Sequence, residues 1–188
     1  MTKGQSMQKP LWVFGYGSLI WNPGFLVAEQ HVALLQGWHR SFCMRSIHHR
    51  GTEDDPGLVL ALDRAPGAIC AGVAFRVQDG AEAETLTALR ERELISSAYL
   101  EDWLLLELDG GEAVTALCYV IDPGHDQYCG GLPLPDQAQI IAQAEGGRGR
   151  NCEYLFNTAA HLAALGIADM DLEWLANQVR ALRAQNVK

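Results

Sequence analysis

Strand-like segments crowd the first two-thirds of this chain and helical ones fill the last third, with a single helix set among the strands. Leu11–Phe14 is a short apolar run broken by Gly15, Tyr16, Gly17 and Ser18, and Leu19–Trp21 stops at Asn22-Pro23-Gly24. This reads as strand, glycine loop and turn. Further strands are expected at 31–38, 41–46, 58–62 and 69–77, parted by the polar loop His48–Gly57 and a turn at Asp63–Gly67. Asp79-Gly80 marks a helix start, and Ala81–Leu94 carries strong helix formers without Gly or Pro. Two more strands, 99–108 and 112–121, flank the hairpin signal Asp109-Gly110-Gly111. The pattern then turns helical over Pro135–Glu145, over Asn151–Leu165 and through Leu172, Leu175, Val179 and Leu182. Asn151 is expected to cap the second of these helices, with Gly166 just past its end. Strands this close in sequence pair antiparallel, so the expected fold is α+β, a small curled sheet or β-barrel with flanking helices. The 188 residues predict one domain, 1–188, whose first ten residues form a flexible N-terminus.

Charge and cysteine content then remove several function classes. With 23 Asp and Glu against 14 Lys and Arg, the net charge is −9, a poor balance for neutralising phosphates, so no nucleic-acid partner is expected. The first ten residues lack the apolar run of a signal peptide, and no stretch approaches the roughly 18 apolar residues of a membrane span. Five cysteines without a C-x-x-C pair argue against a disulfide framework and a zinc cluster, and they fit reduced thiols in the cytoplasm. The six histidines show no metal-ligand spacing, so no metal is expected.

The glycine loop is more specific. Gly15-x-Gly17 lacks the third glycine of a dinucleotide fingerprint, no Gly-Lys-Ser/Thr follows, and Ser18 lacks the flanking glycines of a nucleophile elbow. Two glycines around a tyrosine let the backbone turn sharply and gather N–H groups at one point, which suits a carboxylate or a developing oxyanion. A tight turn without a ligand is the plainer alternative.

Helical phase singles out one carboxylate. At about 100° per residue, with Leu86 at zero, Leu89 falls near about 300° and Glu93 near about 340°, on the apolar stripe. Glu84 and Glu91 fall on the opposite face, where solvated carboxylates belong. An inward glutamate loses hydration and its pKa rises, as a general base working near neutral pH requires. The alternatives are that Glu93 frays out at the helix end or pairs with an arginine of the sheet. All three lysines lie at the termini, so every internal cation is an arginine. Residues 38–50 carry Arg40, Arg45 and Arg50 with three histidines, and 146–152 carry Arg148 and Arg150, both without acids. These forks suit ligand carboxylates, or else they pair with surface acids.

Taken in order, Val13-Phe-Gly-Tyr-Gly-Ser-Leu-Ile-Trp21, His49-Arg-Gly-Thr52, Arg92-Glu93 with Tyr99, and Gly149-Arg-Asn-Cys-Glu-Tyr-Leu155 resemble the ChaC-like γ-glutamylcyclotransferases. The resemblance implies a small β-barrel with flanking helices and cleavage of glutathione, a small-molecule substrate, to 5-oxoproline and Cys-Gly without metal or organic cofactor. It implies Glu93 as general acid and base. By the same resemblance, Tyr16, Gly17, Ser18 and Leu19 form a substrate-binding loop, with Tyr99 and Tyr154 as further substrate contacts. Arg45 and Arg50 are expected to orient the rest of the substrate. The chain departs from the family pattern at Pro56-Gly57-Leu58, where many members carry Pro-Gly-Arg, and at Leu94–Ser97, which replaces a glycine-containing turn. Other γ-glutamyl amides are the alternative substrates. Of different class are a non-catalytic γ-glutamyl binding protein and a hydrolase using Cys43 or Ser18. Nothing in the sequence sets the oligomeric state.

Overall fold

The computed structural model describes residues 9–185. The expected flexible N-terminus therefore lies, apart from Lys9 and Pro10, outside the described residues. Five strands close a barrel: β1 (Trp12–Gly15), β2 (Val27–Ser46), β3 (Gly57–Val77), β4 (Tyr99–Leu108) and β5 (Ala113–Ile121). Their order is β1-β3-β2-β4-β5, and β1 returns to pair with β5 in parallel. The expected α+β barrel is thus the observed architecture. Helix α1 (Glu82–Glu93) lies between β3 and β4 in the chain. Helices α2 (Leu134–Gln143), α3 (Asn151–Ala164) and α4 (Met170–Gln185) follow the barrel, and the two-residue strands β6 (Glu145–Gly146) and β7 (Gly149–Arg150) link α2 to α3.

Period-two alternation divides the strand residues between two apolar clusters. Trp12 and Phe14, with Ala116 and Cys118, join the main core, to which Ile141, Leu155, Leu162, Leu175 and Val179 of the C-terminal helices also belong. Leu11, Val13, Leu117 and Tyr119 point the other way and pack beneath Leu89 of α1. The packing seats α1 on one outer face of the barrel and holds its C-terminal end beside the loop after β1. Among the described residues, no helix is long and apolar enough to cross a membrane.

Two expectations fail in the sheet for one reason. The segments 31–38 and 41–46 are one strand, β2, and 58–62 and 69–77 are one strand, β3. The residues read as a turn, Asp63–Gly67, lie where the β2–β3 ladder slips from Gln36↔Ile69 to Trp38↔Arg64. Gly37 and Gly67 both take positive φ there. Turn chemistry is spent on a bulge that bends a continuing pair, not on a hairpin that ends it. The hairpin expected at Asp109–Gly111 is present, closed by the Gly111 N–H donating to the Leu108 carbonyl at 2.8 Å.

Candidate active site

The loop after β1 is built by close approach. A Cβ on Gly17 would sit 2.9 Å from the Tyr154 hydroxyl, so only glycine lets the loop lie against α3. Ser18–Ile20 forms a single 3-10 turn, and the hydrogen bonds of this stretch leave the N–H groups of Ser18 and Leu19 without a backbone acceptor among the described residues. From behind, the buried Arg40 guanidinium donates to the Tyr16 carbonyl at 3.2 Å and the Ala71 carbonyl at 2.8 Å, while its Nε and Nη2 reach Asp169 Oδ2 at 3.0 and 2.8 Å. Arg40 is therefore the loop's anchor, already paired, and not a free ligand contact.

Glu93 is the last residue of α1, and its side chain is 15% exposed. Its Oε1 is buried without a hydrogen-bond partner among the described residues. Arg92 Nε lies 3.0 Å away, but its N–H is not aimed at that oxygen. Burial raises the Glu93 pKa above the ordinary carboxylate value, and the charges of Arg92 and Arg148 pull it back only in part. The guanidinium of Arg92 is otherwise committed to the loop: Nη2 donates to Ser18 Oγ at 2.9 Å and Nη1 to the Asn22 carbonyl at 2.6 Å. The residue before Glu93 thus fixes the distance between the carboxylate and the glycine loop.

Two buried tyrosines, Tyr16 and Tyr154, and the half-buried Tyr99 wall the inner part of this space. Tyr16 donates to the Tyr119 carbonyl at 2.7 Å and Tyr99 to the Leu60 carbonyl at 2.8 Å, while Tyr154 accepts the Leu60 N–H at 3.3 Å. Burial pushes all three phenols up, so they act here as neutral hydrogen-bonding groups and not as bases. Two adjoining depressions result. The inner one is lined by Tyr16, Gly17, Ser18, Leu19, Tyr99 and Tyr154, and the outer, larger cleft adds Glu93, Arg50, Arg148, His48 and His49.

The cationic rim is positioned by backbone contacts. Gly147 N–H donates to the His48 carbonyl and Arg148 N–H to the His49 carbonyl, each at 2.9 Å, which stitches the β6–β7 hairpin to the loop after β2. A Cβ on Gly146 would strike the backbone of Arg50 and Gly51, so the glycine permits this close crossing. His49 has its pKa lowered, first by burial and then by Arg148, and is predominantly neutral near pH 7.

Of the residues singled out in the sequence, Glu93, Tyr16, Gly17, Ser18, Leu19, Tyr99, Tyr154 and Arg50 come together around these depressions. Arg45 does not: its side chain is exposed outside the cleft, and its backbone pairs with Gln127. Asn151 does not cap α3. Its side-chain amide is buried and bridges both backbone groups of Leu58, accepting from N–H and donating to C=O at 2.7 Å each. That clamp fixes β3 beside Tyr154, a role unreadable from residues near Asn151 in the chain. Trp21, Asn22 and Gln127 also line the cleft; Trp21 closes the motif at 13–21 and Asn22 opens the turn after it, neither singled out as a site residue, and the sequence carried no signal for Gln127. Cys43 is buried, and its thiol is pushed up to about 12, a poor nucleophile. Ser18 Oγ accepts from Arg92, and no histidine bonds to it among the described residues. No group of three or more His, Cys, Asp or Glu is placed to hold a metal among the described residues.

The family model for ChaC-like proteins matches residues 11–182. This chain belongs to the ChaC-like family. Its relatives include the glutathione-specific gamma-glutamylcyclotransferase of Escherichia coli K12, 41% identical over 177 residues that cover 94% of this chain and 76% of that protein. Gamma-glutamylcyclotransferase 2-3 of Arabidopsis thaliana is 35% identical over 182 residues, covering 94% of this chain and 92% of that protein. Among solved structures, the yeast gamma-glutamylcyclotransferase specific to glutathione superposes with a TM-score of 0.84 at 22% identity, covering 94% of this chain and 98% of that one. The ChaC-like barrel and its flanking helices are the same fold.

Proposed function

We propose that the chain is a glutathione-specific γ-glutamylcyclotransferase, with Glu93 as the group that moves the protons. The observation that carries this reading is the buried Glu93 carboxyl, one oxygen unbonded, held by Arg92 beside a loop whose Ser18 and Leu19 N–H groups have no backbone acceptor among the described residues. The activity named for its ChaC-like relatives supports it.

The reaction needs a folded substrate, a base and an oxyanion site. The α-ammonium of the γ-glutamyl group gives a proton to Glu93, and the freed amine attacks the γ-carbonyl of the same residue. The five-membered ring closes through a tetrahedral oxyanion. Glu93 returns the proton to the departing nitrogen and the amide C–N bond breaks; the carboxylate so regenerated takes the second proton from the ring nitrogen and passes it to the released amine, and 5-oxoproline and Cys-Gly leave without consuming water. The N–H groups of Ser18 and Leu19 receive an anionic oxygen of the γ-glutamyl part, and the neutral tyrosines exclude water and orient the ring. Every step is a proton transfer or a carbon–nitrogen exchange, so side chains and backbone supply all the groups this scheme uses.

The same reading takes 1–188 as one catalytic domain acting on a small molecule. The five free thiols support work in a reducing cytoplasm, and a net charge of −9 is a poor match for nucleic acid. Incubation with reduced glutathione and product analysis tests the proposal: lactam plus Cys-Gly is expected, and free glutamate would mean hydrolysis instead. Parallel incubation with γ-Glu-Ala separates glutathione from other γ-glutamyl substrates, and thermal stabilisation by glutathione without product would mark a binding protein.

A further inference from the structure

Three arginines line the outer cleft, and two are already committed. Arg92 is spent on Ser18, Asn22 and Glu93. Arg50 donates to the Arg150 carbonyl at 3.2 Å, lies 3.9 Å from Glu153 and stands over the Tyr154 ring. Arg148 is exposed at the rim, and its guanidinium has neither a hydrogen-bond acceptor nor a carboxylate partner among the described residues. Its backbone is nevertheless fixed by the bond to His49. Its charge is felt at both Glu93 and His49, so it belongs electrostatically to the cleft.

The substrate of the proposed reaction carries two carboxylates. The α-carboxylate belongs to the γ-glutamyl residue, which must fold where the outer cleft, lined by Glu93, meets the inner depression with its loop N–H groups. The second terminates the leaving peptide, which extends from the scissile amide towards the outer cleft. Arg148 lines only the outer cleft, while Gly17 and Leu19 line only the inner one.

We propose that Arg148 is a specificity-determining residue that receives the terminal carboxylate of the leaving peptide, so that the enzyme prefers γ-glutamyl peptides to γ-glutamyl amines and esters. The inference rests on the γ-glutamyl reading above. It makes the fork geometry of arginine useful where the rest of the rim is already paired. It also makes the preference sensitive to salt, because the contact is exposed.

The test compares glutathione with its glycine ethyl ester in the native protein and in Arg148→Ala. Loss of one charge-assisted contact should raise KM for glutathione about 10-fold, while KM for the ester changes less than about twofold. The native protein should itself prefer glutathione to the ester by about the same factor of 10. Equal changes for the two substrates, or none, would overturn the assignment. The same four combinations are read as equilibrium affinities by calorimetry in a Glu93→Gln background, which reports on Arg148 without turnover. Absence of 5-oxoproline from the native protein would count against the reaction, whereas ester-insensitive binding would count against Arg148.

Discussion

Two glutamates beside arginines of α1 have nearly equal exposure and opposite chemistry. Glu93 is 15% exposed and Glu101, on β4, is 21% exposed. Arg90 Nε and Nη2 donate to the two carboxylate oxygens of Glu101 at 2.9 and 3.0 Å, and the Tyr119 hydroxyl adds a bond at 3.1 Å. Those bonds hold the Glu101 pKa below the ordinary value, Arg90 first. Glu93 has an arginine just as near, but that guanidinium donates its bonds to Ser18 and Asn22, and burial wins. Hydrogen bonds from Arg90 lower the one and desolvation raises the other, so bonding and burial together make the difference. One carboxylate is a structural ion, and the other is kept ready to take a proton.

The largest expected effect comes from removing the second kind. Glu93→Gln keeps the volume and abolishes the base, so turnover should fall by about 10²-fold or more, measured as 5-oxoproline release. Its stability should move the other way. A carboxyl whose folded pKa is raised binds the extra proton in the folded state, so stability falls as pH rises from the ordinary carboxylate value through the folded one. Above that window Glu93→Gln should melt at a higher temperature than the native protein, and below it the two should converge. Calorimetry across pH checks this, and identical pH dependence would mean that Glu93 is not desolvated.

Arg92 is next. Glu93 must be ionised to act, so the acid limb of kcat/KM reports its pKa in the free enzyme. Arg148 from the hairpin also faces the carboxyl, as do the neutral Tyr16, Tyr99 and Tyr154, and these remain when Arg92 is changed. Arg92→Gln should move the limb to higher pH and cost about 10- to 100-fold in kcat as the loop loses its spacing. Arg92→Lys keeps the charge without the fork, so activity should fall with the limb nearly in place. If the limb stayed put in both, Arg92 would only brace the loop.

The contrast between the two glutamates was half legible. Helical phase is local, so the inward turn of Glu93 follows from Leu86 and Leu89 alone, and the glycine loop declared itself through Gly15 and Gly17. What sequence could not supply are partners far along the chain. Arg40 and Arg148 read alike in acid-free segments, yet Arg40 meets Asp169 across 129 positions while Arg148 meets no acid among the described residues. Asn151 has the chemistry of a helix cap, but Leu58, 93 positions away, takes its amide. Asp63–Gly67 has turn chemistry, and only the facing Gly37 converts it into a bulge.

Glu101→Gln supplies the control on the structural side. The pair is surface-lying, so its loss should lower Tm by less than about 4 °C near pH 7. Since the folded pKa of Glu101 is depressed, its stabilisation is present above the ordinary carboxylate value and lost as pH falls through the folded one, so native and variant should converge in acid. Its kcat should stay within about twofold, as for a surface change away from the reacting atoms. A large loss of 5-oxoproline release in this variant would mean the two carboxylates act together.

The smallest expected effect tests whether the exit from α1 also holds Glu93 in place. Ser97, four residues on, takes φ 56°, a left-handed conformation uncommon for serine. Relief of that strain in Ser97→Gly is worth about 1 kcal/mol, and the greater freedom glycine gives the unfolded chain takes back a comparable amount. Net stability should therefore change by less than about 1 kcal/mol. The acid limb should not move, because the Glu93 environment is set by burial and by Arg92 and Arg148, none of which the turn contacts by hydrogen bonding. A shifted limb would show that the backbone after α1, and not only the side chains around Glu93, separates the working carboxylate from the structural one.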